Sequence, residues 1–200
     1  MPNLVSATNV RPENAVLVYS LDLKKNRGAI WGMNLGSLLL LFLFGWLFVA
    51  YTRLIRPDIL AEGISLSFNP LYFVISVLAV FAVVIVVHEL FHGLFFWIFT
   101  RRRPRFGMGG WYAFASAPGW YFPRRQYLVI GLAPVVALSV IGMVLLAIFP
   151  AGMIIITLFA VVLNAASSVG DLWIVLRLLL ERRPVVVEDE GDGMYFYALG

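Results

Sequence analysis

Four apolar stretches, each long enough to cross a bilayer, dominate this 200-residue chain: roughly Ala29 to Tyr51, Pro70 to Phe99, Tyr127 to Phe149, and Ala151 to Leu180. The hydrocarbon core requires about 20 helical residues per span. Composition agrees, since 62% of residues are hydrophobic and only 13% charged, against roughly half and a quarter in a soluble domain. The chain is therefore expected to be an all-α polytopic membrane protein with four transmembrane helices. The first stretch is longer than a signal-peptide core and lacks a clear small-x-small cleavage site, so it reads as a retained helix. The last two are separated only by the turn around Pro150 and Gly152, which predicts a helical hairpin. The expected organisation is an N-terminal segment (1–28), a membrane domain (29–183) and a C-terminal tail (184–200).

Charge sets the expected orientation. Lys24, Lys25 and Arg27 precede the first helix. Arg101, Arg102, Arg103, Arg105, Arg124 and Arg125 fill the connection between the second and third, and Arg182 and Arg183 follow the fourth. The other two connections carry only Arg53 and Arg56, offset by Asp58 and Glu62. Basic residues concentrate on the cytoplasmic side, so both termini and the 101–126 connection are expected there. The net charge of +4 is accounted for by these flanks, with no separate basic surface for nucleic acid. The absence of cysteine excludes disulfides, thiolate ligands and cysteine nucleophiles.

The second stretch contains the only two histidines, in "VVHELFHG". Residues four apart share a helix face, so His88 and His92 can present two imidazoles to one metal ion. Glu89, about 100° around the same turn, is placed to accept a proton from a water on that metal. Two histidines placed at random fall four apart about one time in a hundred, which makes the match informative. A packing reading, with the histidines bonded to neighbouring helices and Glu89 paired with an arginine, uses the same residues. It leaves three ionisable groups in five residues, each costing at least ~2.5 kcal/mol at membrane depth, without a compensating purpose.

A catalytic zinc has three protein ligands and an open position. The fourth stretch supplies one acid, Asp171, on a stripe of polar residues (Thr157, Asn164, Ser167, Ser168, Asp171) that falls on one helical face. His88 and His92 lie 13 and 9 residues before Arg101, and Asp171 lies 11 before Arg182. At 1.5 Å per residue all three sit roughly 14–20 Å from the cytoplasmic helix ends, at one level. One Zn2+ per chain, held by His88, His92 and Asp171, is the expectation.

These residues resemble a site-2-protease-type intramembrane metalloprotease, in which an HExxH helix is completed by an Asp from a later helix. More closely, the chain resembles an uncharacterised prokaryotic family of membrane zincin-type peptidases, with an HELxH helix and a Gly/aromatic-rich loop leading into a helix with a "LAP" stretch. The resemblance spans roughly residues 70–180. It implies a zinc endopeptidase with Glu89 as general base, acting on membrane-protein or peptide substrates, in a prokaryotic cell membrane. It also implies a substrate or oxyanion contact for Asn164, for which a plain interhelical hydrogen bond is an equal reading. Where the family motif runs from Asn through prolines to Asp-Gly, Asn164 is here followed by Ala and Ser, and Gly170 precedes Asp171. Without those prolines the Asp helix is expected to run straighter.

The connection "RPRFGMGGWYAFASAPGWYFPRRQ" reads as one or two short strands at the cytoplasmic interface. The resemblance implies that Trp111, Tyr112, Ala113 and Phe114 form a strand able to pair with substrate backbone. An aromatic belt at headgroup level is the competing reading. The acidic run Glu188–Asp192 reads as a solvated end, followed by a short strand. A rival to proteolysis is a non-proteolytic divalent-metal-binding protein or transporter. That function calls for polar groups along a path between the faces, whereas here they gather at one level.

Overall fold

Asparagine and proline punctuate the long apolar runs where helices should begin. The computed structural model describes residues 6–22, 26–62, 69–110 and 112–200. Strand β1 (Val16–Asp22) precedes α1 (Arg27–Ile55), the short α2 (Pro57–Glu62) and α3 (Pro70–Thr100). Strands β2 (Arg105–Met108), β3 (Ala113–Ser116) and β4 (Tyr121–Pro123) lead into α4 (Arg124–Ile148), α5 (Ala151–Ser167) and α6 (Val169–Leu180), and the chain ends in β5 (Val185–Asp189) and β6 (Gly193–Ala198). The Asn26 side chain caps α1 by accepting the Ala29 N–H at 2.9 Å. Asn69 caps α3 through the N–H groups of Leu71 and Tyr72. Pro70 follows at the first helical position, where a missing N–H costs nothing.

Among the described residues three helices, α1, α3 and α4, are long and apolar enough to cross a membrane. The fourth expected span is two helices, α5 and α6, bent by 44° and reaching that length only as a pair. This corrects the expectation of a straighter Asp helix. The break needs no proline. Ser168 caps α5 with its N–H on the Asn164 carbonyl at 3.1 Å, and the Ser167 and Ser168 hydroxyls donate to the same oxygen at 2.9 and 2.8 Å. Three donors on one carbonyl compete with the regular helical ladder, and hydroxyl back-bonding of this kind bends helices.

The chain divides into two compact units. One comprises Leu35–His88 and Val135–Val169. Its core gathers Phe48, Ile59, Leu146, Ile154 and Val161. Within it α4 and α5 form the expected hairpin. Gly142 packs so closely on Val161 that an added Cβ would collide with it, as small residues permit in membrane helix pairs. Ser37 donates to the Ala166 carbonyl at 2.8 Å, and Tyr51 to that of Met143 at 3.2 Å. Leu39, Phe42, Trp46, Leu78 and Val83 are exposed. So much apolar surface on α1 and α3 is intelligible when lipid is the solvent.

The other unit comprises Met1–Asn34, Glu89–Pro134 and Gly170–Gly200. It corrects the all-α expectation with a four-stranded antiparallel sheet in the order β1-β6-β5-β4. Central β5 is buried along its whole length, which explains its run of three valines. Phe122, Val187 and Phe196 from the sheet pack with Phe96, Tyr127, Ile174 and Leu178 from the helices. The acidic run is not a solvated end: Glu188 and Asp189 are buried, and each accepts a tyrosine hydroxyl, from Tyr197 at 3.1 Å and Tyr127 at 2.5 Å. Gly191, at φ +90, takes the left-handed turn between β5 and β6.

The strands expected in the 101–126 connection are a separate antiparallel pair, with Gly107 opposite Phe114 and Met108 opposite Ala113. Trp111 lies outside the described residues.

Candidate metal centre

Each histidine on α3 is held through Nδ1. His88 Nδ1 lies 2.9 Å from Asn164 Oδ1, and His92 Nδ1 lies 3.0 Å from the Ile130 carbonyl oxygen. Both acceptors are oxygens, so a proton sits on Nδ1 in each ring and Nε2 is the nitrogen a metal would take. This is the tautomer a metal-ligating histidine needs, fixed by the hydrogen bond the other nitrogen makes.

Asp171 completes the group. It stands in the first turn of α6, which begins at the bend, where the positive end of the helix dipole favours a carboxylate. Its Oδ1 lies 3.2 Å from His92 Nε2. One ligand atom each from His88, His92 and Asp171 falls within 4.8 Å of the others. Tetrahedral zinc ligands at ~2.0–2.1 Å from the ion stand roughly 3.3 Å apart. The donor set (two imidazole nitrogens and a carboxylate oxygen, with both Nδ1 positions satisfied) therefore suits zinc in its chemistry, and the ligand atoms would draw together around the ion. Both histidines are buried, at 6% and 8% exposure, and the Asp171 side chain retains 23%. That difference leaves the open side of the cluster next to the carboxylate.

Glu89 is half-buried on α3, adjacent to His88 and off the line joining the histidines. Asn164, 1% exposed, serves the site by holding His88 with its side chain while its carbonyl organises the bend. Of the expected substrate strand, Ala113 pairs in β3. Tyr112 donates to Asp192 Oδ1 at 2.6 Å, and the Phe114 ring covers Gly191. Burial and the bond to Asp192 push the Tyr112 hydroxyl up to about 12, so it remains a donor. On the opposite strand, Phe106 packs against Gly93, the residue after His92, where an added Cβ would strike its ring. The hairpin thus reaches the level of the cluster.

Two contributors lie outside the expected site residues. The Ile130 carbonyl belongs to the backbone. Asp189, on β5, accepts the hydroxyl of Tyr127, one helical turn before Ile130, and the Gly191 N–H at 2.8 Å. Burial raises the Asp189 carboxyl to about 6 despite these two bonds.

Apolar helices long enough to span a bilayer, together with a His-His-Asp group that could hold a metal, define a candidate membrane metalloprotein. A family model described as "Putative zincin peptidase" matches residues 81–184, just over half of the chain, and the chain belongs to that family. No curated protein and no solved structure matches it.

Proposed function

We propose that the chain is a zinc-dependent intramembrane endopeptidase resembling the site-2-protease type. The observation that carries this reading is the paired use of Nδ1: His88 is held on Asn164 and His92 on Ile130, with one ligand atom of each within 4.8 Å of one from Asp171. A packing role for the histidines calls for no such convergence. When bound, zinc would supply an acidified water and polarise the scissile carbonyl. His88, His92 and Asp171 hold it. Glu89 accepts the proton of the attacking water and returns it to the departing amine. Asn164 fixes the His88 ring. The β2–β3 pair, beside α3 at Gly93, offers a strand edge to an extended substrate segment. The substrate is a membrane-associated protein or peptide, and the setting is a prokaryotic cell membrane.

The test is cleavage of a single-pass reporter by purified protein in detergent. Activity is expected to disappear on treatment with a chelator and to return with equimolar zinc. A protein that carries zinc flux in vesicles and cleaves no reporter would establish the transporter instead.

The orientation proposed, with both termini cytoplasmic, has its own measurement. The chain has no thiol to remove, so single cysteines report cleanly. Gly152→Cys, at an exposed position with open space around its Cα, should react with an impermeant maleimide in intact cells. Arg103→Cys, also exposed, should react only after permeabilisation. The opposite pattern would reverse the topology. Ser116 is unsuitable for this purpose because it is fully buried.

A further inference from the structure

We propose that Pro134 is a positioning residue of the metal centre, acting by keeping the Ile130 carbonyl available to orient His92. The inference rests on the reading of His92 as a metal ligand.

In a regular α-helix the carbonyl of residue 130 accepts the N–H of residue 134. Residue 134 is proline, inside α4 and fully buried. Proline has no N–H to offer that carbonyl, so the helical rung is missing there. A carbonyl left without its helical donor inside a membrane must find another. It finds one: His92 Nδ1, 3.0 Å away. The proline and the histidine satisfy one another's requirements. The helix loses one rung, and the ring receives a fixed acceptor at Nδ1, with Nε2 turned to the side of Asp171.

The neighbourhood holds this carbonyl in place from both sides. Gly131 lies against Val175 of α6, the helix that carries Asp171, with only 3.0 Å between an added Cβ and the valine methyl. One turn earlier, Tyr127 is tied to Asp189 of β5. The α4 segment between these contacts therefore stays close to α6, and the missing N–H at Pro134 leaves the Ile130 carbonyl to His92.

Pro134→Ala restores the N–H. The helix gains a hydrogen bond, so metal-free protein should unfold at the same or a higher temperature. Zinc affinity should nevertheless fall about 10–100-fold, the usual effect of losing an outer-shell partner. A proline valued only for packing or a kink would not weaken zinc binding while leaving the metal-free protein as stable or more so. Replacing Pro134 with lactic acid, which has alanine's side chain and an ester oxygen in place of N–H, should bind zinc nearly as the wild type does. As an independent arm, glycolic acid at position 131 turns the Ile130 carbonyl into an ester, a weaker acceptor, and should lower affinity in the same direction as Pro134→Ala. Affinity is read by competition with a chromophoric chelator, and ligand geometry by the visible spectrum of the cobalt-substituted protein.

Equal zinc affinity in wild type and Pro134→Ala would overturn the proposal. So would equal losses in the alanine and lactic acid forms, which would assign the effect to the missing ring. If wild-type protein binds no zinc at all, the metal centre itself is wrong, a result distinguishable from either of these.

Discussion

Asp171→Ala is expected to reduce purified protein from one zinc per chain to a small residual fraction, and His88→Ala and His92→Ala should do the same. Each removes one of three ligand atoms that stand within 4.8 Å of one another, and two ligands do not make a closed zinc site. Asn164→Ala is the informative comparison. It deletes the acceptor that fixes His88 but no ligand, so the cost should be the ~10–100-fold in affinity typical of an outer-shell loss. Stoichiometric zinc would then still be recovered at high metal concentration. Metal analysis after gel filtration, with a chelator titration beside it, separates the two classes. Full zinc in Asp171→Ala would remove α6 from the centre and leave the 3.2 Å contact with His92 as a simple ion pair.

How much of this was legible in the sequence follows from what letters can encode. His88, His92 and Asp171 were conspicuous because ionisable groups are rare in an apolar background, and helical spacing plus depth brought them to one level. The bend between α5 and α6 was not foreseen. Proline and glycine advertise a break, but here three hydroxyl and amide donors converge on the single carbonyl of Asn164. The four-stranded sheet was hidden for another reason. Its strands are short, and β1 pairs with β6 across nearly the whole chain, with Leu17 opposite Tyr197. Periodicity reports a strand's faces but not so distant a partner. The tail's acids likewise read as solvated because the hydroxyls that donate to them sit on other elements, Tyr127 on α4 and Tyr197 across the turn on β6. Backbone contributors such as the Ile130 carbonyl carry no letter, and in this chain the trace they leave is the proline four residues on.

Glu89→Gln is expected to abolish proteolysis while zinc stays bound. Glu89 shares a helical turn with both histidines but lies off their common face, where it can reach a water at the open position without displacing a ligand. Glutamine keeps the size of the side chain and its capacity to hydrogen-bond, yet it cannot accept a proton. The loss is therefore confined to acid–base work, typically 10²–10⁴-fold in rate. Detection is favourable, because an uncatalysed peptide bond in a membrane-embedded reporter gives almost no background. Zinc content and reporter cleavage should be measured on the same preparations, with the thermal unfolding temperature as a control for folding. Loss of stability together with activity would point to a structural ion pair. A variant that cleaves at the wild-type rate would take Glu89 out of the mechanism, and another group would have to supply the proton transfer. A variant that loses its zinc would make Glu89 a ligand, and the place given to Asp171 would then have to be shared or surrendered.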